Sequence, residues 1–272
     1  MKNKRDPDAK FRSALIPIED YVEDRIRYAI SLWASTGVGK TYFCLTAPKP
    51  IYIVSFEPKA SSWALKTAYE AGFVQEGDVM VAEAITEALG SDPSMVRTLD
   101  EEKDIHEWTL DFLNFLLREK NEEGGTIAID TATTFWHIVD EVEGESIREK
   151  RAAQKKDLFR FDYRYANKAF KYLIDILRGS NFNLIFTHHD ESTYNAKGTE
   201  MVKKRKFTGN KKIGEWVDVQ VRLRFEDVRE DEDDEPEMLR WVEVEKCRMK
   251  EGLIGTEIDN PTFDRIVKEL TR

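Results

Sequence analysis

Residues 34 to 41 read Ala-Ser-Thr-Gly-Val-Gly-Lys-Thr, and no other stretch of the chain restricts the fold so closely. Before it, the apolar run from Ile26 to Trp33 reads as a buried strand; after it, Lys40 to Leu45 reads as a helix that Pro48 stops. Gly37 and Gly39 permit a turn tight enough to aim successive N–H groups into one concavity, which binds anions. The helix start adds partial positive charge. In such a phosphate-binding loop Lys40 reaches the β- and γ-phosphates of ATP and the Thr41 hydroxyl ligates Mg²⁺, while Ser35, Thr36, Val38 and Tyr42 complete the nucleotide contacts. Ala34 stands where the pattern usually has its first glycine. A methyl is tolerated there provided φ stays negative.

The loop calls for a matching acid at the end of another strand. Thr126 to Asp130, Thr-Ile-Ala-Ile-Asp, supplies it, and Asp130 is the expected second protein ligand of the Mg²⁺ shell. Hydrolysis also needs a carboxylate to orient the attacking water. Thr131 follows Asp130, so that carboxylate comes from elsewhere. Glu57, directly after the strand Ile51 to Phe56, would lie at the carboxyl end of the same sheet, where ligands of such folds bind. A fourth strand, Asn183 to Thr187, runs into Thr-His-His-Asp, which makes Thr187 and His188 candidates for contact with the γ-phosphate.

Between these strands the chain reads as helix: mostly from Ser62 to Glu119 with a break near Gly90 to Pro93, again over 136 to 180, and finally over Pro261 to Leu270. Trp216 to Phe225 and Leu239 to Arg248 alternate as a strand pair. Strands alternating with helices predict an α/β fold, a mostly parallel twisted sheet with helices on both faces and an edge strand pair. The length of 272 residues suits one domain, expected over 25–272 behind an N-terminal arm of 1–24.

Charge excludes some classes and sharpens others. The net charge of −10 argues against a protein that coats nucleic acid with its whole surface. Yet six of the ten residues from Lys203 to Lys212 are basic (Lys203, Lys204, Arg205, Lys206, Lys211 and Lys212), while seven of eight from Glu230 to Glu237 are acidic, so the two blocks are separate features. Cys44 and Cys247 lie far apart, and the four histidines form no metal-ligand pattern. No apolar run approaches the ~20 residues of a membrane span, and none follows the charged N-terminus as in a signal peptide. The expectation is a cytoplasmic protein without a membrane partner.

A strand-end glutamate set apart from the Asp130 strand resembles the RecA-like P-loop NTPases, which include recombinases, replicative helicases and KaiC; Ser-Phe-Glu at 55–57 is similar to the helicase version. The resemblance runs from about Ile26 to Ile258 and implies three things. The basic segment, with Lys203 to Lys206, Lys211 and Lys212 on phosphates and Phe207 on a base, would line a channel for single-stranded DNA. Glu-Lys-Cys-Arg-Met-Lys at 245–250 is similar to a Lys-x-Arg element that reaches a neighbouring subunit's ATP, so Lys246 and Arg248 would be catalytic in trans within a ring or filament. The layout, with Phe161 to Phe170 and the helix after it, resembles phage and archaeal-virus RecA-like ATPases of single-strand annealing, and Phe11-Arg-Ser-Ala14 resembles a polymerisation motif.

The implied function is a DNA-stimulated ATPase of recombination or annealing. A ring motor of helicase or packaging type shares every nucleotide-site residue. A small-molecule kinase would need an arginine-bearing lid such as Arg148 to Lys156, but it gives no place to the isolated Glu57 or to the Lys-x-Arg strand.

Overall fold

The computed structural model describes residues 26–57, 60–90, 97–154, 163–194, 201–228 and 237–272, without the side chains at 60–61, 146–148, 151–153, 192–194, 201–205, 227–228 and 237–238. The expected arm over 1–24 with its Phe11 to Ala14 motif, the acidic block up to 236 and the whole segment from 155 to 162 lie outside the described residues.

Nine strands form one sheet in the order β3-β2-β4-β5-β1-β7-β8-β9, with β6 paired to β5 alone. The strands are β1 (Ala29–Ala34), β2 (Ile51–Ser55), β3 (Val79–Glu83), β4 (Gly125–Asp130), β5 (Phe182–Tyr194), β6 (Met201–Phe207), β7 (Val219–Val228), β8 (Glu237–Cys247) and β9 (Glu257–Asp259). Pairings from β3 through β7 are parallel; β5–β6, β7–β8 and β8–β9 are antiparallel. The α/β class, the mostly parallel sheet and the antiparallel edge pair therefore stand as the sequence predicts.

Alternation along the strands builds two cores, one on each face. Tyr52, Val54, Ile127, Ile129, Leu184 and Phe186 point to one face, where they meet helices α3 (Ala84–Leu89), α4 (Leu99–Glu119), α5 (Ala132–Ala153), α6 (Arg164–Arg178) and the short α7 (Ile213–Trp216). Ile30, Leu32, Ile51, Ile53, Ala128 and Ile185 point to the other, against α1 (Lys40–Cys44), α2 (Ala60–Glu70) and α8 (Phe263–Thr271). Helix α4 starts on a capping box: Thr98 accepts from Glu101 N at 3.3 Å and Glu101 Oε2 accepts from Thr98 N at 2.6 Å.

Three strands depart from the sequence reading. β3 lies inside the stretch expected to be helical; its Val79–Glu83 is half-exposed at the sheet edge, so no strong apolar pattern marks it. β9 is three residues long. Most of the basic segment, expected as a loop, is strand β6: β5 continues past the end of β1, and its residues 190–194 pair with 201–207 as a hairpin. Likewise Arg222 of β7 pairs with Trp33, so Leu223 onward runs beyond β1. Two hairpins thus extend from the carboxyl edge of the sheet, on either side of the 34–41 loop.

Candidate nucleotide site

At the carboxyl edge the end of β1 turns into α1 through Ala34 to Gly39. Gly37 and Gly39 take φ of +84° and +106°, the left-handed region that a Cβ disfavours. Among the described residues Asn260 is the only non-glycine with positive φ. Ala34 therefore keeps extended backbone as the last residue of β1, and its methyl is buried in the core. The substitution for the first glycine costs nothing sterically. Helix α1 is only five residues long, so the anion cradle rests on the loop's own N–H groups more than on a helix dipole.

Four strand ends converge on this loop. Lys40 Nζ donates to Ala34 O and Ser35 O, each at 3.0 Å, and the side chain is buried. Burial lowers its pKa, opposed by the charges of Asp130, Glu57 and Asp190. From β4, Asp130 accepts from Thr41 Oγ1 at 2.8 Å on one oxygen and from Thr187 Oγ1 at 2.5 Å on the other. From β2, Ser55 lies in register with Asp130, and Phe56 N donates to Asp130 O at 2.7 Å, which carries Glu57 to the same edge. From β5, Asp190 accepts from Ser35 Oγ at 2.8 Å.

Asp130, Glu57 and Asp190 all act electrostatically on Lys40. Thr41 and Asp130 present hard oxygen donors side by side, a pair that suits Mg²⁺ completed by phosphate and water. No group of three or more His, Cys, Asp or Glu side chains placed to hold a metal ion occurs among the described residues.

The family profile described as AAA domain matches residues 26–250, from before β1 to just past β8. That span is most of the chain, and it contains every strand end just described. The chain belongs to the AAA domain family. Its loop is accordingly that of a P-loop ATPase fold, which binds nucleotide. No curated protein matches the sequence.

Within this AAA domain the histidine pair separates. His188 is fully buried, 4.7 Å from the Phe207 ring centroid, and its Nε2 has no hydrogen-bond partner among the described residues. Burial pushes its pKa down to about 3, so the ring is neutral. None of its surface is exposed to a ligand, unlike the expected phosphate contact. Thr187 is also buried, and its hydroxyl is spent on Asp130. The neighbouring His189, overlooked in the sequence, points its Nε2 at Glu57 Oε1 in a hydrogen bond. Strand parity carries the signal: Leu184 and Phe186 face the α4–α6 core, so His188 does too, whereas Thr187 and His189 share the P-loop face with Ile185.

The remaining site residues lie apart. Tyr42 stacks on Phe73 with centroids 5.3 Å apart, and Arg240 approaches its ring at 5.6 Å. Both line a cleft of about 280 Å³ with Gly39, Asn260, Pro261 and Thr262. Phe207 sets its edge against Trp33 at 6.3 Å, on the side of His188, so its ring is engaged within the protein. Lys206 pairs with Glu191 at 2.7 Å, and Lys211 and Lys212 are exposed along a cleft with Trp136, Tyr163, Asn167 and Asn210. The side chains of Lys203, Lys204 and Arg205 lie outside the described residues.

Lys246 and Arg248 sit at the opposite edge of the sheet. β8 runs antiparallel, so Cys247 pairs with Val219, which pairs with Ile30 near the start of β1. Four residues of strand, roughly 13 Å at 3.3 Å each, separate that level from Ala34. Lys246 lies across Gly214, where a Cβ would meet its Cδ at 2.5 Å; Arg248 is just past the strand and exposed.

Proposed function

We propose that this chain is an ATP hydrolase of the RecA-like type that works as an oligomer on single-stranded DNA, in recombination or annealing. The observation that carries the hydrolytic reading is the placement of Glu57. It stands beside the Thr41–Asp130 pair and within electrostatic reach of Lys40, on a strand other than that of Asp130.

In this reading the loop N–H groups and Lys40 hold the β- and γ-phosphates. Thr41 and Asp130 hold Mg²⁺, which when bound neutralises phosphate charge. Thr187 fixes the Asp130 carboxylate. Hydrogen bonding from His189 holds Glu57 below the ordinary carboxylate range, against the opposing pull of burial, so Glu57 is ionised at neutral pH and orients the attacking water. The nucleoside leaves the cradle along Gly39, and its base occupies the cleft between Tyr42, Arg240 and Asn260–Thr262. Lys246 and Arg248, remote from their own loop, act on a neighbour's nucleotide. The basic β5–β6 hairpin with Lys211 and Lys212 carries DNA.

The test is the ATPase rate with and without single-stranded DNA for wild type, Lys40→Ala and Glu57→Gln. Stimulation of the wild type is expected, with loss of nucleotide binding in the first variant and binding without turnover in the second. Normal turnover by Glu57→Gln would reassign the water-orienting role; a rate indifferent to DNA would remove the nucleic-acid part.

A further inference from the structure

The carboxylate that the reaction depends on has few contacts of its own. Glu57 follows the last residue of β2 by two positions, its side chain is about one-third exposed, and its backbone carbonyl accepts from Ser55 Oγ at 3.2 Å. A glutamate has three side-chain torsions to fix before its oxygens occupy one place, and that ordering costs conformational entropy. The hydrogen bond that fixes its side chain comes from His189, which is also the largest influence on its ionisation.

His189 is far better held. It pairs with Ala34 in the sheet, its N–H donates to Thr133 Oγ1 at 3.1 Å, and its carbonyl accepts from Thr208 N at 3.1 Å and Thr208 Oγ1 at 2.8 Å. Thr133 also donates to Thr208 O at 3.2 Å, so α5, β5 and the end of β6 grip the same residue. The backbone is clamped while the imidazole alone is directed outward, at Glu57.

We propose that His189 is the positioning residue of the hydrolytic site: its Nε2–H holds the Glu57 carboxylate where it can accept a hydrogen bond from the attacking water. The assignment rests on the reading of Glu57 above. A base oriented by a third group is a general device of activated nucleophiles, and misplacing a reacting group by about 1 Å costs on the order of 10²-fold in rate. Removing the ring frees the carboxylate without moving the Glu57 backbone, so it lowers kcat by roughly tenfold. KM for ATP changes less than about threefold, because the ring touches none of the groups that cradle phosphate.

The decisive measurement is steady-state ATP hydrolysis by the full chain carrying His189→Ala, His189→Gln, Glu57→Gln and the Glu57→Gln/His189→Ala pair. The expected result is a kcat loss in His189→Ala at near-constant KM, recovery of most of it by His189→Gln, whose amide N–H takes the place of Nε2, and no further loss when His189→Ala is added to Glu57→Gln. Wild-type kcat in His189→Ala, a failure of glutamine to restore it, or losses that multiply in the pair would overturn the proposal while leaving Glu57 in place. Normal turnover by Glu57→Gln alone would instead remove the base itself, and the two failures are told apart by that single variant.

Discussion

The two edges of the sheet treat their charged residues in opposite ways. At the carboxyl edge, Lys40, Thr41, Asp130, Thr187, Ser35 and Asp190 are joined by hydrogen bonds of 2.5–3.0 Å, and Lys40 and Asp130 are almost wholly buried. At the amino edge, Lys246 and Arg248 are exposed. Groups that act on a ligand within their own subunit gain from being fixed in advance, because ordering is completed at folding and not at each turnover. Groups that act across an interface gain nothing from it, since their partner arrives with another chain. Under the proposed function, the first edge carries chemistry in cis and the second would carry it in trans.

The strongest way to break it is Arg248→Ala. An arginine supplied in trans is worth on the order of 10³-fold or more in kcat, so this variant should bind ATP normally and lose about that factor. Mixing it with Lys40→Ala, which keeps its arginine but lacks a working loop, should restore turnover at mixed interfaces. Inactive mixtures, or a rate below threefold from wild type in Arg248→Ala alone, would place no trans chemistry at this edge.

A second prediction tests the depth of the first edge. His188 is buried neutral with a pKa of about 3 against an ordinary 6.5. The unfolded chain therefore takes up this proton first as pH falls, and the stability present above pH 6.5 is lost progressively down to about 3. The loss amounts to roughly 3 kcal/mol by pH 4. Denaturant unfolding of His188→Leu across that range should show a shallower decline than wild type, whatever its stability at pH 7. Parallel declines would mean that the buried ring contributes nothing to acid sensitivity.

The first edge was legible in the sequence because its signals are local. Gly37, Gly39, Lys40 and Thr41 sit within five consecutive positions, and Asp130 and Glu57 each close a short apolar strand. What escaped was orientation. Choosing His189 over His188 requires the parity of β5, which Leu184 and Phe186 set only once their core is known. β3 escaped because a half-exposed edge strand carries little periodicity, and β6 because six basic residues in ten read as solvated loop when the pairing partner, the far half of β5, lies beyond the predicted strand end. Lys246 and Arg248 were visible as residue types, whereas their distance from the loop depends on β8 running antiparallel.

A third prediction asks where the pre-ordered edge ends. Tyr42 and Arg240 flank the cleft given to the base and touch no phosphate-binding group other than Gly39. Loss of one stacking partner costs about 1–3 kcal/mol, so Tyr42→Ala or Arg240→Ala should weaken ATP roughly tenfold while inorganic tripolyphosphate binds as in wild type. Equal weakening of both ligands would mean that these side chains support the loop instead of the base.

The smallest effect expected is at the basic hairpin, and it discriminates by slope. Single-stranded nucleic acid contributes about −0.7 to the log–log salt slope for each phosphate neutralised, so six basic contacts give roughly −4. Lys206 is already paired with Glu191, both more than half exposed, a pair worth little in water and easily exchanged for a phosphate. None of the described residues that line the cleft with Lys211 and Lys212 is acidic. Replacing both with alanine should flatten the slope by about 1.4 and weaken binding only several-fold near physiological salt. Glu191→Ala should leave the slope unchanged or steepen it slightly, by freeing Lys206. If the lysine pair changes nothing while DNA still binds, the strand passes elsewhere on the surface.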